Sequence, residues 1–186
     1  MSASWSPAGT ASWSSRSRRT RCSGRERCFR RRATRSSSTQ ELTADQIKAG
    51  ETSQITCFTT LQASLQAVGV DAPKGTTIDG LMATNAAAPA GVLAVHYKST
   101  NGVGEYLSVA GDSCDGGGIS FEAGDSWNDA IMSTRHRLCS QVKHYSDAGY
   151  SGDVQTTNGA NGVLVLMTST LSRQVSSIRY QGTMNS

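Results

Sequence analysis

The chain has 186 residues, 37% hydrophobic and 17% charged, with a formal net charge of +4. That length suits one domain. No stretch reaches the ~18 apolar residues of a membrane span, and the Lys/Glu-rich composition of a coiled coil is missing. Gly, Ser, Thr, Asn and Ala dominate, with five Cys beside them. This balance favours an all-β secreted domain.

The net charge joins two unlike pieces. Residues 1–40 hold ten Arg and one Glu, for +9; residues 41–186 hold eight Lys or Arg and thirteen Asp or Glu, for −5. Residues 1–40 read as a disordered basic leader. Residues 1–38 contain eleven Ser and no Val, Leu or Ile, so burial cannot offset the entropy of ordering them. Arg-rich runs neutralise phosphates, which would make a nucleic-acid arm. A signal peptide would need an apolar h-region, which the segment lacks. The preferred reading is a third one. Arg, Ser, Trp and Thr without Lys, Ile or Asp is what a GC-rich gene yields when read upstream of its start or out of frame. Nucleic acid is then not an expected partner, and the export signal is not visible in this sequence.

Residues 41–90 read as a linker with short helices. Phe58, Leu61, Leu65 and Val68 recur at helical spacing, with Thr59 or Thr60 as cap and Gly69 as stop. A second short helix is predicted from Thr77 to Thr84. Asn85 to Gly91, with Pro89, separates these helices from the rest of the chain.

An internal repeat occupies residues 91–182, with repeat one at 92–137 and repeat two at 138–180. Ala94-Val95-His96-Tyr97 matches Val142-Lys143-His144-Tyr145, and Gly104 matches Gly152, at an offset of 48. Trp127 matches Leu171, and Ile131–Arg135 matches Val175–Arg179, at an offset of 44. The difference is an insertion around Asp112 to Gly118. Each unit holds short strand-like runs parted by Asn-Gly, Gly-Gly and Asp-Gly steps. Two such units predict a pair of Greek keys packed as a sandwich.

Tyr145, Tyr150 and Gly152, spaced Tyr-x4-Tyr-x-Gly, resemble the β/γ-crystallin Greek-key signature. Repeat one keeps Tyr97 and Gly104 but has Gly102 where the second aromatic belongs. The block from Trp127 to Arg135 resembles that family's second conserved stretch. The two-repeat layout is similar to actinobacterial secreted β/γ-crystallin-like proteins, which include small metalloproteinase inhibitors. The resemblance spans Ile55 to Tyr180 and is strongest from Val92.

The resemblance implies a calcium motif: two Asn/Asp, two variable residues, then Ser/Thr and Ser. Oxygen ligands of that kind suit a hard cation. Asn128, Asp129 and Ser133 keep part of it, but Met132 stands where a hydroxyl belongs, and a thioether is a poor calcium ligand. Ser176 and Ser177 keep both hydroxyls of the second motif, but Arg173 stands where an acid belongs. One weak calcium site, or none, is the expectation. Otherwise these serines brace turns through local hydrogen bonds. No other cofactor is implied.

Among the cysteines, Cys114 lies in the insertion and Cys139 just before repeat two. A disulfide between them would tie the repeats together. Cys57 stays open between a thiol, a bond to Cys22 or Cys28, and a link between molecules.

No catalytic residues are assigned. Gly111-Asp112-Ser113 and Gly124-Asp125-Ser126 lack the following Gly of a protease oxyanion hole. His96 and His144 occupy equivalent repeat positions, which points to the fold. The sequence therefore predicts a secreted, non-enzymatic β/γ-crystallin-like protein. It would inhibit an extracellular protease by inserting a rigid loop, either Asp112 to Gly118 or Asp147 to Asp153. The alternative is a structural or stress-related extracellular domain with weak or absent calcium binding. A membrane partner is not expected.

Overall fold

The computed structural model describes residues 36–70, 74–83, 91–111, 114–158 and 162–183. Strand β1 (Ser36–Gln40) leads to helix α1 (Ala44–Lys48), strand β2 (Thr56–Phe58), and helices α2 (Leu61–Ala67) and α3 (Ile78–Ala83). Repeat one supplies β3 (Val92–Tyr97), β4 (Tyr106–Ala110), β5 (Asp115–Ser120) and β6 (Ser133–His136). Repeat two supplies β7 (Cys139–Asp147), β8 (Ser151–Asn158), β9 (Val165–Leu166) and β10 (Ser177–Thr183). Among the described residues no helix is long and apolar enough to cross a membrane.

Two sheets face each other, in the orders β2-β1-β4-β3-β6-β9 and β5-β10-β7-β8. The third strand of each repeat leaves its own sheet for the other's. Strand β5 lies on β10 with Ile119 opposite Ile178, and β9 lies on β6 with Val165 opposite Thr134. The all-β reading holds: two Greek keys exchange strands and form one sandwich. Leu93, Leu107, Phe121, Trp127, Val142 and Ile178 fill the space between the sheets. Cys114 and Cys139 are joined in a buried disulfide, which ties the start of β5 to the start of β7.

A second core lies on the outer face of the larger sheet. Every residue of β3 is buried, as its unbroken Val-Leu-Ala-Val run suits a strand covered on both faces. Leu65, Leu81 and Met82 from the helices pack on Val95, Tyr97 and Tyr106. Helix α2 starts where the Thr60 hydroxyl accepts from Ala63 N–H at 3.2 Å, and Gly69 at φ 78° turns the chain away after it. Arg137 donates to the Leu81 carbonyl at 3.1 Å and pins α3 to the sheet.

The N-terminal boundary differs from the sequence reading. Residues 36–40 belong to the fold, not to a disordered leader. Strand β1 runs parallel to β4 and antiparallel to β2. It contains no aliphatic residue, yet Ser36 to Thr39 are all buried. Three of the four hydroxyls have partners: Ser36 donates to Thr60 O at 2.8 Å, Ser37 to Cys57 Sγ at 3.7 Å, and Thr39 to Gln54 O at 3.0 Å; Ser38 Oγ has none. The chain then crosses to the other sheet, where Leu42 N–H donates to Gly118 O at 2.7 Å and accepts at its carbonyl from Gly118 N–H at 3.0 Å. One segment thus covers β4 on one sheet and β5 on the other, at edges that would otherwise offer unpaired backbone. In the described part of the expected linker with short helices, residues 41–90, the helices α2 and α3 are present and, with β2, extend and roof the larger sheet. At the C-terminal end, β10 runs to Thr183, past the expected end of repeat two. The remainder of the predicted leader, with Cys22 and Cys28, lies outside the described residues.

Candidate functional site

Each repeat carries an arch just before its fourth strand, at residues 127–133 and 171–177. At matching positions Asp129 (φ 56°) and Arg173 (φ 62°) turn into the left-handed region. Asp129 N–H donates to Val175 O at 3.1 Å, and Arg173 N–H donates to Ile131 O at 2.9 Å. Met132 N–H donates to Tyr97 O, and Ser176 N–H to Tyr145 O, both at 2.9 Å. The two arches are therefore related by an approximate two-fold, and each leans on the other.

This reciprocity sorts the side chains. Ser176 Oγ donates to Asp129 Oδ1 at 3.1 Å, while Arg173 Nε approaches Met132 Sδ at 3.3 Å. The acid kept in one motif meets the hydroxyl kept in the other. The two departures, Met132 and Arg173, meet each other. One side thus presents oxygen ligands, and the other a thioether against a guanidinium.

The oxygen-bearing side opens into a surface depression of about 560 Å³, lined by Asn128, Asp129, Asp147, Asp153, Arg173 and Ser176 among others. Carboxylates and a hydroxyl are hard donors that fit a cation such as calcium. Against this, Asn128 Nδ2 already occupies Asp129 Oδ2 at 2.8 Å, and Arg173 adds positive charge. Among the described residues no three His, Cys, Asp or Glu side chains converge closely enough to hold a metal. The Met132–Arg173 side does not fit a metal. The remaining serines point elsewhere. Ser133 and Ser177 are buried and donate to the carbonyls of Ser99 and Asp147, each at 2.6 Å, so both brace the hairpins of their repeats.

The β7–β8 hairpin forms one wall of the depression. Tyr145 and Tyr150 meet edge to face with centroids 6.1 Å apart, and the Arg179 guanidinium lies 4.5 Å over Tyr150. Tyr150 (φ 65°) donates its N–H to Ser177 Oγ at 2.9 Å, and Gly149 donates to Ser120 Oγ at 3.3 Å. Asp153 N–H donates to Ser146 Oγ at 2.9 Å. Gly152 sits at φ 79°, where a Cβ would stand 2.2 Å from that same Ser146 Oγ. Repeat one is built more loosely. Gly102 replaces the second tyrosine, and Leu164 Cδ1 comes within 3.1 Å of where its Cβ would be. Gly104 at φ 92° has open space around it.

The two signature glycines should therefore respond differently to substitution. Gly104→Ala will cost about 1–2 kcal/mol, the strain of positive φ alone. Gly152→Ala will cost about 3 kcal/mol, because overpacking adds to that strain. Urea denaturation of both variants checks this, and equal losses would contradict the hairpin geometry.

Trp127 is buried in the core, and its indole Nε1 donates to Ser37 Oγ at 3.2 Å. Lys98 Nζ lies 4.6 Å over its ring. Asp125 Oδ1 accepts from Trp127 N–H at 2.7 Å, which shapes the turn; burial raises the carboxyl's pKa. All three histidines are buried, so none stands beside a surface serine. Asp112 and Ser113 lie outside the described residues. Cys57 is half-buried and accepts from Ser37 Oγ at 3.7 Å.

Of the expected insertion loop, Asp112 and Ser113 lie outside the described residues; Asp115 is exposed, while Gly117 and Gly118 are buried in strand β5, where a Cβ on Gly117 would stand 2.7 Å from the Leu42 carbonyl. The segment after β1 lies across it. Sequence reasoning missed the Asp129–Ser176 and Met132–Arg173 pairings and the part played by Ser37. A Trp whose N–H needs a buried acceptor was the one signal that pointed to the last.

No protein-family profile matches the sequence, and no curated protein does. Solved structures do match. One, from work on the evolution of the eye lens β/γ-crystallin domain fold, is 20% identical, with a TM-score of 0.42, over 52% of this chain and 91% of that one. A β/γ-crystallin domain from Flavobacterium johnsoniae is 24% identical, with a TM-score of 0.38, over 50% of this chain and 99% of that one. A β/γ-crystallin from an archaeon is 17% identical, with a TM-score of 0.35, over 48% and 98%. The fold assignment rests on the chain's own strand order. With paired Greek keys, exchanged third strands and reciprocal arches, residues 91–183 have the β/γ-crystallin domain fold.

Proposed function

We propose that this chain is a secreted, non-enzymatic binding protein that inhibits an extracellular peptidase through the Asp147–Asp153 hairpin. The observation that carries this is the bracing of an exposed tip. Ser120, Ser146 and Ser177 hold its backbone while Asp147, Ala148 and Gly149 stand in solvent. A loop ordered before binding loses little entropy on entering a cleft. The buried disulfide suits an oxidising compartment. Titration against secreted metallo- and serine peptidases tests the reading. Inhibition at or below micromolar concentration, lost in Ala148→Trp with the fold intact, supports it. No inhibition of any of them at micromolar concentration removes it.

The Asp129–Ser176 contact favours a second reading, an extracellular domain tuned weakly by calcium. Calorimetry should find at most one site, with Kd about 10⁻⁴–10⁻³ M as in extracellular modules, abolished by Asp129→Ala. Two sites, or submicromolar affinity, would contradict it.

A further inference from the structure

All three histidines of the chain lie in one place between the sheets. His96 and His144, on the first strands of the two repeats, meet edge to face with centroids 5.6 Å apart. His96 Nδ1 is 2.9 Å from Thr134 Oγ1, and its Nε2 is 2.8 Å from Tyr180 Oη on the opposite sheet. His136 Nδ1 donates to Cys139 O at 3.3 Å, and its Nε2 is 2.9 Å from Thr157 Oγ1, also on the opposite sheet. Neither nitrogen of His144 has a hydrogen bond; the Gln155 backbone comes near without hydrogen-bond geometry.

The surroundings are built for neutral rings. Leu107 on β4 stands opposite His96, and Ile178 on β10 and Gln155 on β8 stand opposite His144. Tyr180 on β10 is the other titratable group in contact with the cluster. Lys143 and Arg135 alternate with the histidines along their strands, and Arg179 with Ile178 and Tyr180 on β10, so all three face away. Glu41 acts on the Tyr180 hydroxyl. Among the described residues the charged influences on the rings come from the histidines themselves. Among the described residues no carboxylate makes a hydrogen bond to any of the three rings.

We propose that this cluster is an acid-operated latch: proton uptake by the three rings separates the two sheets and dismantles the arches and hairpin that both repeats hold in place. A proton on His96 gives that ring two donors toward Thr134 and Tyr180, and places a charge against His144. Burial, then the neighbouring imidazoles, hold His96 well below its ordinary 6.5. Burial and His136 bring His144 to about 3, and burial lowers His136. The unfolded chain, with ordinary histidines, therefore binds protons first. The latch is fully closed above about pH 6.5 and loosens as pH falls from there toward the folded values. It does not depend on what the hairpin binds.

Urea denaturation of the full chain at a series of pH values tests this. Near pH 5 unfolding should take up about two to three protons, so one pH unit should shift the unfolded-to-folded ratio roughly a hundred- to a thousand-fold. In His144→Leu the uptake should fall by about one proton, with the acid midpoint displaced downward. Equal proton uptake in the two proteins would overturn the latch. A second measurement needs no variant. The histidine ring signals of the unmodified protein should stay at neutral-form shifts while its amide spectrum remains folded. Rings titrating near pH 6.5 in the folded protein would also overturn the proposal.

Discussion

Ser38→Pro is expected to destabilise the protein by about 3 kcal/mol or more, a substantial part of the ~5–15 kcal/mol that holds a domain together. Ser38 is the middle residue of β1, opposite Thr56 on one side and Ser108 on the other. A proline there removes a backbone donor and puts its ring into a strand paired on both edges. The loss reaches further than one hydrogen bond. Once β1 detaches, Trp127 Nε1 loses Ser37, and Leu42 no longer bridges to Gly118. A buried N–H left without an acceptor adds about 1–3 kcal/mol. The edges of β4 and β5 then open, so the variant should also associate at high concentration. Thermal melting and light scattering read both effects. A silent Ser38→Pro would mean that residues 36–40 behave as a disordered leader, as their composition alone suggested.

The second large effect is expected from the disulfide. Cys114 and Cys139 are 25 residues apart in sequence and both buried. Removing the cross-link by Cys114→Ala with Cys139→Ala will cost about 3 kcal/mol in the loop-entropy model. The bond joins the insertion of repeat one, at the start of β5, to the first strand of repeat two, at the start of β7. The loss should therefore appear in the cooperative unfolding of both repeats together, as one transition with a lower urea midpoint and a somewhat larger m-value, because the unfolded chain is no longer cross-linked. A change below 0.5 kcal/mol, or a separate transition for one repeat, would contradict this placement.

The repeat region was legible because its residues obey simple rules. Val92–Tyr97 reads as a strand-like run, Thr59 or Thr60 and Gly69 bound a helix ahead of it, and Gly152 completes the Greek-key signature. The cysteine pair was legible because Cys114 lies in the insertion of repeat one and Cys139 just ahead of the predicted first strand of repeat two, one in each repeat. Strand β1 was not, because Ser-Ser-Ser-Thr-Gln has no apolar signal. Its burial depends on hydroxyl partners more than ten residues away, such as Thr60 O and Gln54 O. The burial of Gly117 and Gly118 within the insertion was hidden for the same reason: what covers them is Glu41 and Leu42, just beyond β1.

The site was legible one motif at a time. Asn128, Asp129, Ser133, Ser176 and Ser177 were all visible, and so were the departures at Met132 and Arg173. Which residue would face which was not, since that depends on the exchange of third strands. The exchange brings Asp129 to Ser176 and Met132 to Arg173. The histidines show the same limit. Alignment of the repeats relates His96 to His144, but only the folded sandwich adds His136.

Everything proposed for the site depends on that exchange. Cross-strand nuclear Overhauser effects in the labelled protein test it most directly. Contacts between Ile119 and Ile178, and between Val165 and Thr134, are the predicted result. Backbone-to-backbone contacts that pair β5 as a neighbour with β3, β4 or β6, or β9 with β7, β8 or β10, would contradict the account; the Gln155 side chain on Leu166 is expected in either case.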